Sequence, residues 1–252
     1  MMRQFLKKIP HKIMNLIEHR RINNNINRLQ SLEIKPARGN ADWLALCEIK
    51  MGGIQQNVTR FKVSDLDPRS KIHIQTGGMT GGDRMIHHNY AKLYERYLSR
   101  FIGTSENLNI LECGILKGTG LAVWSELFPK ALLIGLDIDL DHIKSNFEFL
   151  KSRGAFQNDD PLLLNFDQFS PDASELSDAI GSEKLNIIID DGFHSDETIL
   201  NTIYALKPFF AENFVYFAED NSTVYPKIKE NFQEYKVESF GQMTVITSNN
   251  IS

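Results

Sequence analysis

Two acidic groups of consecutive residues contain the side chains best suited to catalysis or ligand binding. They read Asp190-Asp191-Gly192-Phe193-His194 and Glu219-Asp220-Asn221. Each group follows an apolar run that is typical of a buried strand, so both are expected at neighbouring strand ends. Carboxylates that lie close together raise one another's pKa unless a positive charge neutralises them. A divalent cation such as Mg²⁺, Mn²⁺ or Ca²⁺ can do so, although some of these acids could instead cap helices and pair with lysines.

A glycine-containing loop follows the first predicted strand. It reads Glu112-Cys113-Gly114-Ile115-Leu116-Lys117-Gly118-Thr119-Gly120. Glycines here allow the backbone to turn tightly and to approach a ligand, but their spacing differs from the G-x-G-x-x-G of dinucleotide-binding folds. Glu112 lies two residues before Gly114, where it favours a ligand with a positive centre and would repel a phosphate. The alternative is a purely structural turn between strand and helix.

Acids also end the second and third predicted strands. The segments read Gly135-Leu136-Asp137-Ile138-Asp139 and Asn165-Phe166-Asp167-Gln168. Asp137 can bind two ribose hydroxyls, which suits dinucleotides and S-adenosylmethionine alike. Asp139 or Asp141 could instead cap the following helix. Asp167 can accept a hydrogen bond from the exocyclic amine of adenine.

Alternating strand-like and helix-like segments must position these acids. Apolar runs predict strands at 108–113, 131–138, 162–166, 185–190, 214–218, 236–240 and 243–247. Helical spacing of apolar residues predicts helices at 87–101, 121–127, 140–151, 175–180, 197–210 and 224–232. This order predicts an α/β protein with a mostly parallel sheet, helices on both faces and a C-terminal β-hairpin. Ligands of such sheets bind beyond the carboxyl ends of the strands, at the switch point.

Length and composition fit one globular domain with an extension. The chain has 252 residues, of which 42% are hydrophobic and 24% charged, so it can bury a sizeable core. The net charge of -4 argues against a general nucleic-acid binder. The two cysteines make neither a disulfide scaffold nor, alone, a zinc site. No apolar run reaches the roughly 18 residues of a membrane span, so a cytoplasmic protein is expected.

Residues 1–74 are predicted to form an extension before the α/β domain. Residues 1–21 are basic, and their apolar residues recur at the spacing of an amphipathic helix. That helix could pack on its own domain, on a second copy in a homo-oligomer, or on an anionic membrane surface. The asparagines at 23–27 suggest a linker, and Trp43 lies in a predicted short helix. The glycine pairs between 52 and 82 fit either a mobile lid or surface turns.

Together these motifs resemble those of class I S-adenosylmethionine-dependent methyltransferases. More narrowly, they are similar to the metal-dependent sugar O-methyltransferases of the macrocin and mycinamicin type, over residues 75–248. The similarity depends on the glycine loop, on both acidic groups, and on Asp167-Gln168, His87-His88-Asn89-Tyr90 and Tyr94-Glu95-Arg96. Two positions depart from the pattern. Leu116 replaces the middle glycine of many methyltransferases, and Phe193 replaces a usual serine.

The resemblance implies a Rossmann-like class I methyltransferase fold with a seven-stranded sheet over residues 75–252. It also implies roles for the residues at the strand ends. S-adenosylmethionine would be bound by Glu112, Gly114, Gly118, Asp137, Asp167 and Gln168. Mg²⁺ or Mn²⁺ would be held by Asp190 or Asp191 together with Asp220 and Asn221. His194 would be the general base, with Asp191 as the second catalytic residue. The chemistry is consistent, because a metal lowers the pKa of a sugar hydroxyl and an imidazole can take its proton.

The function that the resemblance implies is metal-assisted O-methylation of a hydroxyl on a sugar or glycan precursor. We expect a role in bacterial surface polysaccharide biosynthesis, with a small-molecule or glycan acceptor and no nucleic acid. A natural-product sugar is the alternative acceptor. A hydrolase or hydroxylase relative on the same fold, or a non-catalytic scaffold that binds a partner through residues 1–30, would be a different kind of protein. The glycine spacing disfavours a nicotinamide-dependent dehydrogenase.

Overall fold

The computed structural model describes residues 11–53, 66, 82–104 and 107–249. The helices of these residues are α1 (His11–Gln30), α2 (Ala41–Lys50), α3 (Ala91–Leu98), α4 (Thr119–Leu127), α5 (Asp141–Ser152), α6 (Ser174–Ile180), α7 (Asp196–Leu206) and α8 (Tyr225–Asn231). The strands are β1 (Asn109–Cys113), β2 (Leu132–Asp137), β3 (Leu162–Asn165), β4 (Leu185–Asp190), β5 (Phe210–Ala218), β6 (Tyr235–Phe240) and β7 (Met243–Ser248). The predicted order of strands and helices is confirmed, and the largest shift of a strand boundary is at β5, which begins at Phe210 rather than at 214.

The strands form one seven-stranded sheet in the order β3-β2-β1-β4-β5-β7-β6. The pairs among β1 to β5 are parallel, whereas β7 is antiparallel to β5 and β6. The chain runs outward from β1 to β3 and then returns to place β4 beside β1. The predicted mostly parallel sheet with a closing hairpin is therefore confirmed, and its switch point lies between β1 and β4.

Apolar side chains cover both faces of this sheet. On one face, here called the α3 face, Ile187 and Phe217 share a core with helices α2 to α5. On the other, the α7 face, Ile188 and Tyr216 share a core with α6, α7 and α8. Successive strand residues point to opposite faces, so a strand that is covered on both faces reads as a continuous apolar run. This is why the strands could be predicted from the sequence.

The N-terminal helix α1 packs on the rest of the chain. Ile22 and Leu29 are 8% and 3% exposed and belong to the core of the α3 face. Arg28 forms a bidentate ion pair with Asp42 of α2, with N–O distances of 2.9 and 2.6 Å. The linker predicted at residues 23–27 is wrong, because these asparagines continue α1. Burial of the neighbouring apolar side chains offsets the modest helix propensity of asparagine.

Other expectations for the extension fall partly outside the described residues. Residues 1–10 of the predicted amphipathic segment and the glycine pair at 77–78 are not among them. The short helix predicted around Trp43 is confirmed as α2. None of the described helices is long and apolar enough to cross a membrane. Membrane contact and self-association through residues 1–21 stay predictions.

Replacement of Ile22 by alanine tests whether α1 is part of the folded core. We expect Ile22→Ala to lower the free energy of unfolding by about 2–5 kcal/mol, because it leaves a cavity beneath α1. Ile17→Ala, on the same helix, is the matched control and should change that free energy by less than about 0.5 kcal/mol, since Ile17 is 55% exposed. Urea unfolding followed by circular dichroism measures both. Equal effects of the two variants would contradict the packing of α1.

Candidate active site

Three strand ends meet at the switch point. Asp191, which follows β4, donates its backbone N–H to the carbonyl of Cys113 at the end of β1 (2.9 Å). Glu219, which follows β5, donates its backbone N–H to the carbonyl of Asp190 (3.0 Å). Because side chains alternate along a strand, Glu112, Asp191 and Glu219 all lie on the α3 face. The acids predicted at the ends of β1, β4 and β5 are thus brought to one crevice.

A guanidinium lies between these three carboxylates. Arg84, from the loop before α3, donates from Nη2 to Glu112 Oε1 (2.9 Å) and to Asp191 Oδ2 (2.7 Å). Its Nε donates to Glu219 Oε2 (2.9 Å), and its Cζ lies 5.7 Å from the ring centroid of Trp124. Arg84 is only 6% exposed. Charge-assisted hydrogen bonds in such a shielded place are stronger than they would be in water.

Three ionised carboxylates would carry more negative charge than Arg84 balances. Trp124 Nε1 donates to Glu112 Oε2 (2.7 Å), and the Tyr94 hydroxyl donates to Glu219, which satisfies oxygens but adds no charge. Desolvation raises the pKa of all three carboxyl groups, and Arg84 opposes that shift. The crevice therefore favours the uptake of a proton or of a further positive charge.

Asp191, His194 and Asp220 form a second group, here called the cation cluster. Each offers one ligand atom, and these atoms lie within 4.8 Å of one another. His194 Nε2 lies 3.7 Å from Asp191 Oδ1, and His194 Nδ1 is buried without a hydrogen-bond partner among the described residues. Carboxylate oxygens suit Mg²⁺ and Mn²⁺, and an unsatisfied buried nitrogen is typical of a functional site. The two carboxylates fit the predicted divalent cation, and the imidazole lies beside them.

Hydrogen bonds from the loop before α3 hold Asp220 in its charged form. Asp220 Oδ1 accepts from the Tyr90 hydroxyl (2.7 Å) and lies 3.1 Å from His88 Nδ1. Burial raises the pKa of Asp220, but the bonds with His88 and Tyr90 outweigh it and hold that pKa at about 2. Burial lowers the pKa of His88, but Asp220 and Asp83 raise it to about 10. Asp220 is therefore an anion, and His88 a cation, at neutral pH.

Two members of the cation cluster have left-handed backbone conformations. The φ angles are 66° at His194 and 53° at Asp220. Such conformations cost about 1–2 kcal/mol for a residue with a Cβ. Strain of this kind persists where the surrounding structure enforces it, and it concentrates at binding and catalytic sites. The observed strain thus supports a functional role for the turns after β4 and β5.

Asp190 lies outside the cation cluster, although the resemblance allowed it as a metal ligand. Its side chain points to the α7 face, where Gln168 Nε2 and the Tyr216 hydroxyl each donate to it at 2.7 Å. Burial raises the pKa of Asp190 to about 6, although these two hydrogen bonds oppose the shift. The Asp191 side chain instead accepts from Arg84 on the α3 face. Asp191 is therefore the member of this pair that lies in the cation cluster, and metal binding by it stays a prediction.

Asn221 also lies outside the cation cluster. Its Nδ2 donates to the His194 carbonyl (2.8 Å) and to Asp196 Oδ1 (2.9 Å). Its Oδ1 accepts the backbone N–H groups of Thr223 (2.6 Å) and Val224 (2.7 Å). The amide thus ties the turn after β5 to the starts of α7 and α8. The metal-binding role implied for Asn221 does not fit this placement.

The glycine loop after β1 approaches the end of β4 closely. A Cβ on Gly114, where φ is 82°, would lie 2.2 Å from the Asp191 carbonyl oxygen. Only glycine fits such a contact. A Cβ on Gly118 would lie 2.7 Å from Ile143 Cδ1, so this glycine makes room for α5 to pack. Cofactor contacts of both glycines stay predictions.

The ends of β2 and β3 carry two further residues that were predicted to bind the cofactor. Asp137 Oδ2 accepts from the Leu116 N–H (2.9 Å), and its Oδ1 accepts from the Asp139 N–H (3.0 Å). Asp137 thereby fixes the glycine loop. Asp167 is exposed at the end of β3, and its Oδ1 accepts from the Phe169 N–H (2.9 Å). Their contacts with ribose and adenine stay predictions.

The side chain of Gln168 is nearly buried and forms hydrogen bonds within the protein. Its Nε2 donates to Asp190 Oδ1 (2.7 Å) and to Thr202 Oγ1 (2.8 Å). Its Oε1 accepts from the Phe193 N–H (2.8 Å), and the residue is 7% exposed. The side chain therefore joins the ends of β3 and β4 to α7. A contact of Gln168 with the adenine side of the cofactor stays a prediction.

The loop that carries Arg84 holds no residue that was predicted from the sequence to act in the site. Glu48 of α2 fixes this loop, because both of its carboxylate oxygens accept from the Met85 N–H (3.0 and 3.1 Å). Burial raises the pKa of Glu48 to about 8, although that hydrogen bond opposes the shift. One signal could have found Arg84. Buried acids at neighbouring strand ends need a positively charged partner. Arg84 is a basic residue close in sequence to the His88 and Tyr90 segment, which is one of the motifs that carry the resemblance.

Comparisons with known proteins agree with what these motifs indicate. No protein-family model matches the chain. Over 145 residues it is 28% identical to demethylmacrocin O-methyltransferase of Streptomyces fradiae, which covers 55% of this chain and 33% of that protein. Over 152 residues it is 27% identical to 8-demethyl-8-alpha-L-rhamnosyl tetracenomycin-C 2'-O-methyltransferase of Streptomyces olivaceus, which covers 58% and 36%. The matched region spans about a third of each relative's length. The predicted resemblance to macrocin-type O-methyltransferases is confirmed.

A solved structure shows the same fold. A candidate O-methyltransferase from Klebsiella pneumoniae superposes with a TM-score of 0.51 at 11% identity, covering 92% of this chain and 99% of that one. The MycE methyltransferase of the mycinamycin pathway superposes with a TM-score of 0.49 at 19% identity, covering 65% and 52%. At such identities the likeness with the Klebsiella protein shows the fold alone. The predicted Rossmann-like methyltransferase fold is confirmed.

An alanine at Gly114 tests the close approach between β1 and β4. Gly103 is the matched control, because it has a similar φ of 79° but no atom lies within 4 Å of the position that a Cβ would take. We expect Gly103→Ala to cost about 1–2 kcal/mol of unfolding free energy through backbone strain alone. Gly114→Ala should cost about 1–3 kcal/mol more, because its Cβ overpacks the Asp191 backbone. Equal losses in urea unfolding would show that the two strand ends do not meet as described.

Proposed function

We propose that this chain is an S-adenosylmethionine-dependent O-methyltransferase that methylates a sugar hydroxyl with the help of a divalent cation. One observation carries the proposal. The carboxylate at the end of β1 and the cation cluster after β4 and β5 share a single crevice, joined through Arg84. The names of both curated relatives, which are O-methyltransferases, support the same reaction.

The charge of the crevice supports the choice of cofactor. S-adenosylmethionine carries a sulfonium and an ammonium group, and the carboxylates around Arg84 have negative charge to spare. In this proposal Glu112 and the loop through Gly114 face the methionine end of the cofactor. Asp137 binds the ribose, and Asp167 lies on the adenine side. A phosphate-bearing dinucleotide is disfavoured beside Glu112, because like charges repel.

The chain's own residues supply the remaining chemistry. Asp191 and Asp220 would hold Mg²⁺ or Mn²⁺, which lowers the pKa of a hydroxyl and fixes its approach. His194 takes the hydroxyl proton at Nε2, which faces Asp191 Oδ1 across 3.7 Å. The neighbouring carboxylate stabilises the imidazolium that forms. When bound, S-adenosylmethionine would supply the methyl group from a positively charged sulfur, which would leave as a neutral thioether.

The acceptor is proposed to be a sugar-linked small molecule. The name of one curated relative includes a rhamnosyl group and a 2'-O-methylation, which favours a natural-product sugar. A sugar precursor of a bacterial surface polysaccharide is the second candidate, because its hydroxyls offer the same chemistry. A transfer assay with radiolabelled methyl groups on glycosylated natural products and on nucleotide sugars separates the two. Methyl transfer to neither class would contradict a sugar acceptor.

Removal of either carboxylate of the cation cluster tests the metal. We expect Asp191→Asn and Asp220→Asn each to weaken Mn²⁺ binding at least about 10-fold, because a charged oxygen ligand is lost. Turnover should fall with occupancy and should also be lost in excess chelator. Asp141→Asn is the control, since Asp141 is exposed at the start of α5 and lies 4.0 Å from Lys144. Full turnover in excess chelator would rule out a metal-assisted reaction.

Replacement of His194 tests the base separately. We expect His194→Ala to lower kcat by roughly 10²-fold or more, with little change in the dissociation constant of S-adenosylhomocysteine or of Mn²⁺. Only the transition state requires the proton transfer, so binding is spared. His19→Ala, on the exposed side of α1, is the control. A near-normal kcat would exclude His194 as the base, and a lost Mn²⁺ affinity would make it a ligand instead.

A further inference from the structure

We propose that Arg84 is the positioning residue that sets the cation cluster, by holding one oxygen of Asp191 while the other lies beside His194. The inference depends on the cation site of the proposed function. It adds a residue from outside the strand ends to that site. It also explains why a buried arginine lies among acids that would otherwise be free to bind a metal in several ways.

The two oxygens of Asp191 have different partners. Oδ2 accepts from Arg84 Nη2 at 2.7 Å, whereas Oδ1 lies 3.7 Å from His194 Nε2. A carboxylate held through one oxygen by an arginine keeps its orientation without losing the second oxygen as a ligand. The guanidinium thus directs Oδ1 toward the cation cluster.

The planar guanidinium is suited to this task. The same Nη2 also donates to Glu112 Oε1 (2.9 Å), and Nε donates to Glu219 Oε2 (2.9 Å). These three hydrogen bonds diverge from one rigid group, and a lysine ammonium on a flexible stem cannot reproduce their directions. Arg84 therefore fixes Asp191 relative to the end of β1 and to the end of β5 at once.

The backbone of Arg84 is itself held by the N-terminal part of the chain. The Met85 N–H is bound by Glu48 of α2, and the Arg84 carbonyl accepts from the Tyr90 N–H (3.2 Å). Arg21 of α1 donates from Nη2 to the His87 carbonyl (2.6 Å). Two helices outside the sheet thus fix the loop that carries the guanidinium, so the positioning is built into the fold.

Mn²⁺ binding to the whole chain, measured by titration calorimetry without cofactor or acceptor, tests the inference. The variant Arg84→Lys keeps the positive charge but loses the planar, forked set of N–H donors of the guanidinium. We expect its Mn²⁺ affinity to fall about 10–100-fold, as is common when a group that orients a ligand is changed. Arg28→Lys is the matched control, because Arg28 also binds a carboxylate in a bidentate manner but lies on the surface at Asp42. It should bind Mn²⁺ as the unaltered chain does.

A purely structural role for Arg84 gives a different result. It would lower the urea midpoint of unfolding while the folded protein kept its Mn²⁺ affinity, and this outcome would overturn the inference. If Arg84→Lys does not fold, the double variant Arg84→Gln/Glu219→Gln removes one charge of each sign and serves the same test. Unchanged Mn²⁺ affinity in it would overturn the inference as well.

The proposed function and this inference fail in distinguishable ways. If the unaltered chain does not bind Mn²⁺, the cation site of the proposed function is wrong and the inference is overturned with it. If the unaltered chain binds Mn²⁺ and Arg84→Lys binds it equally well, the inference alone is overturned. If Arg84→Lys, Asp191→Asn and Asp220→Asn lose affinity while Arg28→Lys keeps it, both are supported.

Discussion

Buried negative charge at the switch point is the constraint on which the rest of the structure depends. Glu112, Asp191 and Glu219 end three neighbouring strands, and Arg84 lies between them. Carboxylates removed from water without compensation are strongly unfavourable. Arg84 on the loop before α3, the indole of Trp124 and the hydroxyl of Tyr94 donate the hydrogen bonds that satisfy these groups. The excess of acids over Arg84 is the reason for the proposal that the crevice takes cationic ligands.

Because of this constraint, the sheet and the N-terminal helices contribute different parts of the crevice. The sheet places the acids, because its parallel strands end together at the switch point. The guanidinium of Arg84 comes from the loop before α3, which is held by Glu48 of α2 and contacted by Arg21 of α1. The N-terminal helices are thus connected to the chemistry of the crevice through hydrogen bonds as well as through apolar packing.

Most of the fold could be predicted from the sequence, because strands such as β4 are continuous apolar runs and end in recognisable acids. The placement of single side chains could not. Strand alternation separates Asp190 from Asp191, yet two adjacent acids look equivalent in a sequence. Arg84 meets Glu219 across 135 residues of chain, a contact that no local pattern specifies. The linker predicted at residues 23–27 is wrong because tertiary packing overrides the low helix propensity of asparagine.

Anomalous diffraction from a crystal grown with Mn²⁺ and S-adenosylhomocysteine tests the central claim most directly. The account predicts a manganese peak within bonding distance of Asp191 Oδ1 and the Asp220 carboxylate, with Arg84 still bound to Asp191 Oδ2. It also predicts the cofactor product beside Glu112 and the loop through Gly114. A manganese peak away from Asp191 and Asp220, or a cofactor product bound elsewhere on the chain, would contradict the claim that the acids at these strand ends form one active site.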